Sequence, residues 1–145
     1  STGMIVNLKE WIKSCEGYRS HPYKDPRGNL TIGWGRNLDS IGLNESEADS
    51  LIDNDIARCE RELAPFEWFK NQPEGVKAAL INMSFNLGIG KLLLFEKMIA
   101  ALSANDYAMA AIQVLNSNWA FQVGQRAKDV AVMIREGRSY ESGTN

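Results

Sequence analysis

Three observations predict an α+β fold in which a small β-hairpin lobe is joined by a long helix to a mostly helical lobe. Apolar residues recur at helical spacing between Ile5 and Cys15 and again between Ala48 and Leu63. Between those stretches, residues 18–34 carry Pro and Gly turn signals followed by the β-prone Leu30-Thr31-Ile32. After Pro73 only helical patterns follow, with no repeat, low-complexity segment or flexible linker.

The first helix, spanning residues 4–15, is expected to bury Ile5, Leu8, Ile12 and Cys15 and to turn Asn7, Lys9, Lys13 and Ser14 outward. Gly17 can stop it, which leaves Glu16 at its end. The Asp25-Pro26-Arg27-Gly28-Asn29 run suits a type I turn and predicts a small antiparallel hairpin. Gly33, Gly35 and Gly42 argue against a further regular strand and mark backbone that something approaches closely. Asn44, with Glu47 three residues later, is a capping-box start for a long helix that Pro65 ends. Its expected buried stripe is Ala48, Leu51, Ile52, Ile56, Cys59 and Leu63. A loop with proline and aromatics precedes Pro73, which opens a helix ended by Gly88. Further helices are expected over residues 91–102, 106–115 and 122–136, with Gly137 as the last cap. The runs Ala108-Met109-Ala110-Ala111 and Val130-Ala131-Val132-Met133-Ile134 are expected in the core of this lobe.

Composition excludes several classes of function. The chain of 145 residues has a formal net charge of -2 and no basic arm or patch, so nucleic acid is not expected as a partner. No apolar run approaches the roughly 20 residues that cross a bilayer, so membrane insertion is not expected. Cys15 and Cys59, with His21 as the single histidine, do not make a zinc ligand set, and both cysteines read as free thiols. Ser1-Thr2-Gly3 ahead of Met4 reads as a remnant outside the fold. Without a signal-peptide pattern, the chain is expected in the cytoplasm of the cell that makes it.

The chemistry is concentrated between Glu16 and Gly35, which reads E-G-Y-R-S-H-P-Y-K-D-P-R-G-N-L-T-I-G-W-G. Two carboxylates on opposite sides of a short hairpin are what acid/base cleavage of a glycosidic bond requires. The full string resembles the catalytic helix-hairpin of the phage-type lysozyme family. Two distant stretches are similar to the same family in the right order: Ile81-Asn82-Met83-Ser84-Phe85-Asn86-Leu87-Gly88, and Trp119-Ala120-Phe121-Gln122 with Arg126-Ala127.

The resemblance implies one lysozyme domain over residues 1–145. Its hairpin lobe would cover about 16–43, its linking helix about 44–64 and its helical lobe about 65–145 together with the helix 4–15, the substrate cleft lying between the lobes. It implies a muramidase that hydrolyses the β-1,4 bond between N-acetylmuramic acid and N-acetylglucosamine in peptidoglycan, needing no cofactor and no metal. Glu16 would be the general acid, a role favoured by partial burial at the helix end. Asp25 would stay ionised and act on the attacking water, with the Thr31 hydroxyl helping to hold it. This is the inverting arrangement, for which a carboxyl separation of roughly 6.5–9.5 Å is expected. Arg126 would be an ion-pair partner of Glu16, and Phe85, Asn37, Met98 and Gln113 fall where relatives touch glycan. The partner would be peptidoglycan glycan strands, met by a monomer at the cell wall after release from the host cytoplasm.

Asn82 and Asn86 could bind sugar or brace the lobes, and Trp34 could pack on the hairpin. Arg36 stands where a best-known member has a histidine, and the segment from Leu38 to Asn44 is shorter than in the longest relatives. A lytic transglycosylase, which needs no activated water, and a catalytically silent peptidoglycan-binding module are the competing readings.

Overall fold

The computed structural model describes residues 7–137, so the expected contribution of Ile5 to the first helix lies outside the described residues. Two compact units divide the chain, residues 1–50 and 51–145, with the boundary inside the long helix. The fold is α+β, a small antiparallel sheet in the first unit and a helical assembly in the second.

In the first unit, helix α1 spans Leu8–Glu16. Asn7 begins it instead of facing outward from its middle, because the Asn7 side chain accepts the Glu10 N–H at 3.2 Å. Gly17 ends it as expected. The expected burial is not found: no residue of α1 is buried, and Leu8 (56%) and Ile12 (47%) are exposed. The helix meets the sheet through its polar side, since the Lys13 ammonium sits 4.6 Å from the Trp34 ring centroid and Glu16 lies against Gly35.

The sheet runs β1 (Arg19–Lys24), β2 (Leu30–Gly33) and β3 (Arg36–Asn37) in that order. Its first two strands are the expected hairpin, paired at Tyr23 with Thr31 and Lys24 with Leu30. The third strand was not expected. A tight turn through Trp34 and Gly35 folds it back, pairing Thr31 with Asn37 and Ile32 with Arg36. Trp34 packs against Tyr18 with centroids 5.2 Å apart, in line with the hairpin-packing reading.

Helix α2 spans Glu45–Leu63 and begins with the expected capping box. The Asn44 side chain accepts the Glu47 N–H at 2.8 Å, and Glu47 Oε1 accepts the Asn44 N–H at 3.0 Å. Of the expected stripe only Cys59 and Leu63 are buried, while Ala48, Leu51, Ile52 and Ile56 are exposed. A 19-residue helix is about 28 Å long, and only its last turns reach the core.

The remaining helices are α3 (Glu67–Lys70), α4 (Glu74–Leu87), α5 (Ile89–Leu92), α6 (Glu96–Ser103), α7 (Tyr107–Leu115), α8 (Asn118–Val123) and α9 (Gln125–Glu136). The expected helix 91–102 is interrupted between α5 and α6, and the expected helix 122–136 is broken at Gly124, whose φ of +60° cannot continue a right-handed helix. Helix α4 begins after Pro73 and ends at Gly88, and α9 ends at Gly137, all as read from the sequence.

The core of this unit joins Leu63 and Phe69 to Val76, Leu80 and Met83 of α4, Leu92, Met98, Leu102, Val114, and Val130 and Ile134 of α9. Ala110 and Ala111 are buried as expected, but Met109 and Val132 are exposed because a helix cannot bury every residue of a continuous apolar run. Among the described residues both cysteines are free, Cys15 exposed and Cys59 buried, and no helix is long and apolar enough to cross a membrane.

Candidate active site

The residues expected to carry the chemistry, Glu16, Asp25 and Thr31, all lie in the first unit. Glu16 is the last residue of α1, and its side chain is exposed, not partly buried as expected, since α1 buries no residue. Its carboxylate occupies the space a side chain at position 35 would need. A β-carbon on Gly35 would stand 2.6 Å from Glu16 Oε2 and 2.9 Å from Glu16 Cδ. Gly35 also has φ +82°, a conformation open to glycine and costly for other residues. The glycine after Trp34 thus has two physical reasons, turn geometry and room for the glutamate.

Asp25 sits at the start of the β1–β2 turn, partly buried. Its Oδ1 accepts the N–H groups of Arg27 at 2.9 Å and Asn29 at 2.8 Å, and its Oδ2 accepts Asn29 Nδ2 at 3.3 Å. The Asn29 backbone N–H, its side-chain amide, the Arg27 N–H and the Arg27 charge outweigh the opposing effect of burial and hold the Asp25 carboxyl below the usual aspartate value. It is ionised at neutral pH and presents only acceptors.

Thr31 is buried on β2, and its hydroxyl donates to the Asn29 carbonyl at 2.9 Å. Asn37 faces it across the β2–β3 ladder on the same side of the sheet. The Asn37 side-chain oxygen accepts the Ser40 N–H at 3.0 Å, so its amide nitrogen is the part left for a ligand.

Arg36 does not stand unpaired where the family resemblance placed a histidine. It makes a two-pronged ion pair with Glu47 and also donates to the Gly42 carbonyl at 3.0 Å. The Arg36 guanidinium, together with the Asn44 N–H, holds the Glu47 carboxyl down at about 2. The pair ties β3 to the start of α2 within the first unit.

The other candidates are in the second unit. Met98 and Gln113 line one surface hollow of about 650 Å³, along with Phe95, Asn118, Trp119 and Gln122. Met98 is fully buried at its floor, whereas Gln113 is half-buried. Phe85, 37% exposed, lines a different hollow of about 670 Å³ with Ile56, Glu60, Ile81 and Asn82. The structure therefore groups Met98 with Gln113 and sets Phe85 apart from them.

Both asparagines of the Ile81–Gly88 stretch brace helices within this unit. Asn82 Oδ1 accepts Arg126 Nε at 2.7 Å and the Asn82 carbonyl accepts Arg126 Nη2 at 3.3 Å. Asn86 Oδ1 accepts the Trp119 indole N–H at 2.8 Å, and Trp119 packs edge-on against Phe95. Arg126 is thereby fixed from α4 as well as by its own helix.

Sequence reasoning took Asn29 as a turn residue only. An Asp followed four residues later by Asn around a Pro-x-Gly turn was the signal available, since both residue types readily hydrogen-bond nearby backbone. Among the described residues no cluster of His, Cys, Asp or Glu could hold a metal ion.

A family model described as Phage lysozyme matches residues 13–136, from the middle of α1 to the end of α9. The chain is 29% identical to probable T4-type lysozyme 2 of Dictyostelium discoideum, over 92% of this chain and 96% of that protein. It is 26% identical to the pre-baseplate central spike protein Gp5 of Enterobacteria phage T4, over 91% of this chain and 28% of Gp5. It is also 26% identical to the SAR-endolysin of Bacteriophage PS119, over 78% of this chain and 68% of that protein. With the motif string of the first unit and the helices of the second both inside the matched span, the chain belongs to the phage lysozyme family.

Proposed function

We propose that the protein is a muramidase of the endolysin kind, a glycoside hydrolase that cleaves the β-1,4 bond between N-acetylmuramic acid and N-acetylglucosamine in peptidoglycan. Membership of the phage lysozyme family and the lysozyme and endolysin names of its relatives support the reaction class. The observation that carries the residue assignment is the joint placement of Glu16, Asp25 and Thr31 in one folded unit. The acid candidate lies against the β2–β3 turn, and the ionised aspartate is held rigidly in the β1–β2 turn.

In this reading Glu16 gives its proton to the departing glycosidic oxygen as the C1–O bond breaks. A water oriented by Asp25 and Thr31 attacks C1 from the opposite face and inverts its configuration, and its proton passes to Asp25. Because the turn keeps Asp25 ionised, the carboxylate also offers negative charge to the oxocarbenium-like transition state. Arg126, held by Asn82 within the second unit, is carried as a supporting residue by the family resemblance alone. Asn37, Phe85 and Gln113 are the proposed glycan contacts; Met98, with no exposed surface, belongs to the hydrophobic core instead. The wall of the producing cell is the proposed place of action, reached after release from the cytoplasm, with the protein acting as a monomer.

Digestion of purified peptidoglycan and identification of the new sugar ends tests the reading. Reducing ends are expected. Products ending in 1,6-anhydro sugars would assign a lytic transglycosylase instead, and binding without new ends would assign a silent module.

A further inference from the structure

The turn that carries Asp25 is organised around one neighbour. Asn29 meets Asp25 three times and Thr31 once: its backbone N–H donates to Oδ1 at 2.8 Å, its side-chain Nδ2 donates to Oδ2 at 3.3 Å, and its carbonyl accepts both the Asp25 N–H and the Thr31 hydroxyl at 2.9 Å. The last of these bonds lies on Thr31 and links the two catalytic candidates through a single peptide carbonyl.

The donor and acceptor count then fixes how each group can meet a water. A threonine hydroxyl has one proton and two lone pairs. With that proton committed to the Asn29 carbonyl, Thr31 Oγ1 can only accept from a water. Asp25 Oδ1 already accepts two backbone N–H groups, whereas Oδ2 accepts only the Asn29 amide and keeps acceptor capacity. A water that donates one proton to each of two acceptors has both hydrogens engaged and a lone pair free, which is the state a nucleophilic water needs.

We propose that Asn29 is the positioning residue of the water site, its two amide groups fixing the Asp25 carboxylate and its carbonyl taking the Thr31 proton, so that both groups face the attacking water as acceptors. This rests on the hydrolytic reading given above. In the reaction step the water oxygen bonds to C1 while the glycosidic C–O bond breaks. The Glu16 proton goes to the leaving oxygen, and one water proton goes to Asp25 Oδ2. Asn29 exchanges no proton and touches no substrate. Its work is orientation.

The charged groups around Asp25 do not join its carboxylate to Thr31. Arg27, in the same turn, acts on the carboxylate by its charge and its backbone N–H. Lys24 precedes it on β1, and Asp39 from the next turn is engaged by the Leu30 N–H at 2.7 Å. Neither Arg27 nor Asp39 reaches the Thr31 hydroxyl, which Asn29 alone takes among the described residues.

The test uses the full chain with Asn29→Ala, which removes the Nδ2 donor and leaves the backbone groups, and with Asn29→Asp, which puts an anion in place of that donor. The titration of Asp25 is followed by carboxyl-carbon NMR, and kcat and KM are measured on soluble peptidoglycan fragments across the acid range. Asn29→Ala is expected to move the Asp25 titration to higher pH and to lower kcat about tenfold with KM nearly unchanged, the size of one hydrogen bond to a charged group. Asn29→Asp should move the titration further in the same direction. Thr31→Ser, which keeps the hydroxyl, should retain most of kcat, and Thr31→Val should lose it. A wild type that releases no sugar ends would overturn the hydrolytic reading itself. Normal hydrolysis by the wild type, with the Asp25 titration and kcat unmoved in a folded Asn29→Ala, would overturn the role of Asn29 alone.

Discussion

Replacing Gly35 by alanine separates two effects that the structure superimposes at one atom. The backbone there has φ +82°, so any β-carbon brings a conformational cost of about 1–2 kcal/mol. For a domain of this size that corresponds to a fall in Tm of roughly 3–8 °C. Gly33, with φ +68° and nothing within 4 Å of its would-be β-carbon, should show the same order of loss and nothing more. At position 35 the β-carbon would also stand 2.6 Å from Glu16 Oε2, well inside van der Waals contact. Because the carboxylate is the far end of a flexible side chain, it will swing aside without unfolding the sheet. A displacement of about 1 Å at a reacting group costs on the order of 10²-fold in rate. Thermal unfolding of both variants, with reducing-end release from peptidoglycan below the melting range, reads the two effects separately. The expected result is a similar Tm loss in Gly33→Ala and Gly35→Ala, with hydrolysis about 10²-fold lower only in Gly35→Ala. Equal activity in the two would refute the argument that Gly35 keeps the place of the Glu16 carboxylate open.

Two further outcomes follow from other parts of the molecule. The Arg36–Glu47 pair holds the Glu47 carboxyl at about 2 against an ordinary value of 4.5. A depressed carboxylate stabilises the fold fully above its unfolded value and loses that contribution as pH falls through its folded one, so Glu47→Gln should lower Tm most at neutral pH. The gap to wild type should close between about pH 4.5 and pH 2 in a series of thermal melts. Because Gln113 and Met98 share one hollow and Phe85 lines another, Gln113→Ala and Phe85→Ala should each raise KM with little change in kcat, and a double variant should show additive losses. Unchanged KM in both would remove these residues from the glycan contacts.

The parts of this fold that were legible in the sequence are those fixed by local chemistry. Asn44 and Glu47 announce a capping box, Pro73 opens α4, and Gly17, Gly88 and Gly137 close helices where the chain itself stops them. The Glu16-to-Gly35 string was legible for a different reason, since it resembles the catalytic helix-hairpin of a known family, whereas two carboxylates near a turn would not by themselves mark a site. What escaped was set by contacts between elements. Strand β3 has only two residues and depends on pairing with β2, so no periodicity could show it. The apolar residues of α1 and of the first half of α2 follow a burial pattern, yet they are exposed, because amphipathic spacing states which side can be buried and not how much of it is. Asn29 was likewise invisible in role, as it acts through hydrogen bonds to residues whose own importance must be known first.

The central claim is that Glu16 and Asp25 form the acid and water-activating pair. It is tested most directly by reducing-end release from purified peptidoglycan by Glu16→Gln and Asp25→Asn, each shown to fold by its melting curve. Glu16→Gln removes the only proton the proposed mechanism has to give to the leaving oxygen, and general acid catalysis contributes on the order of 10²–10⁴-fold. The account predicts that release falls by at least about 10²-fold in both variants. Release at wild-type rate by a folded Glu16→Gln would contradict it.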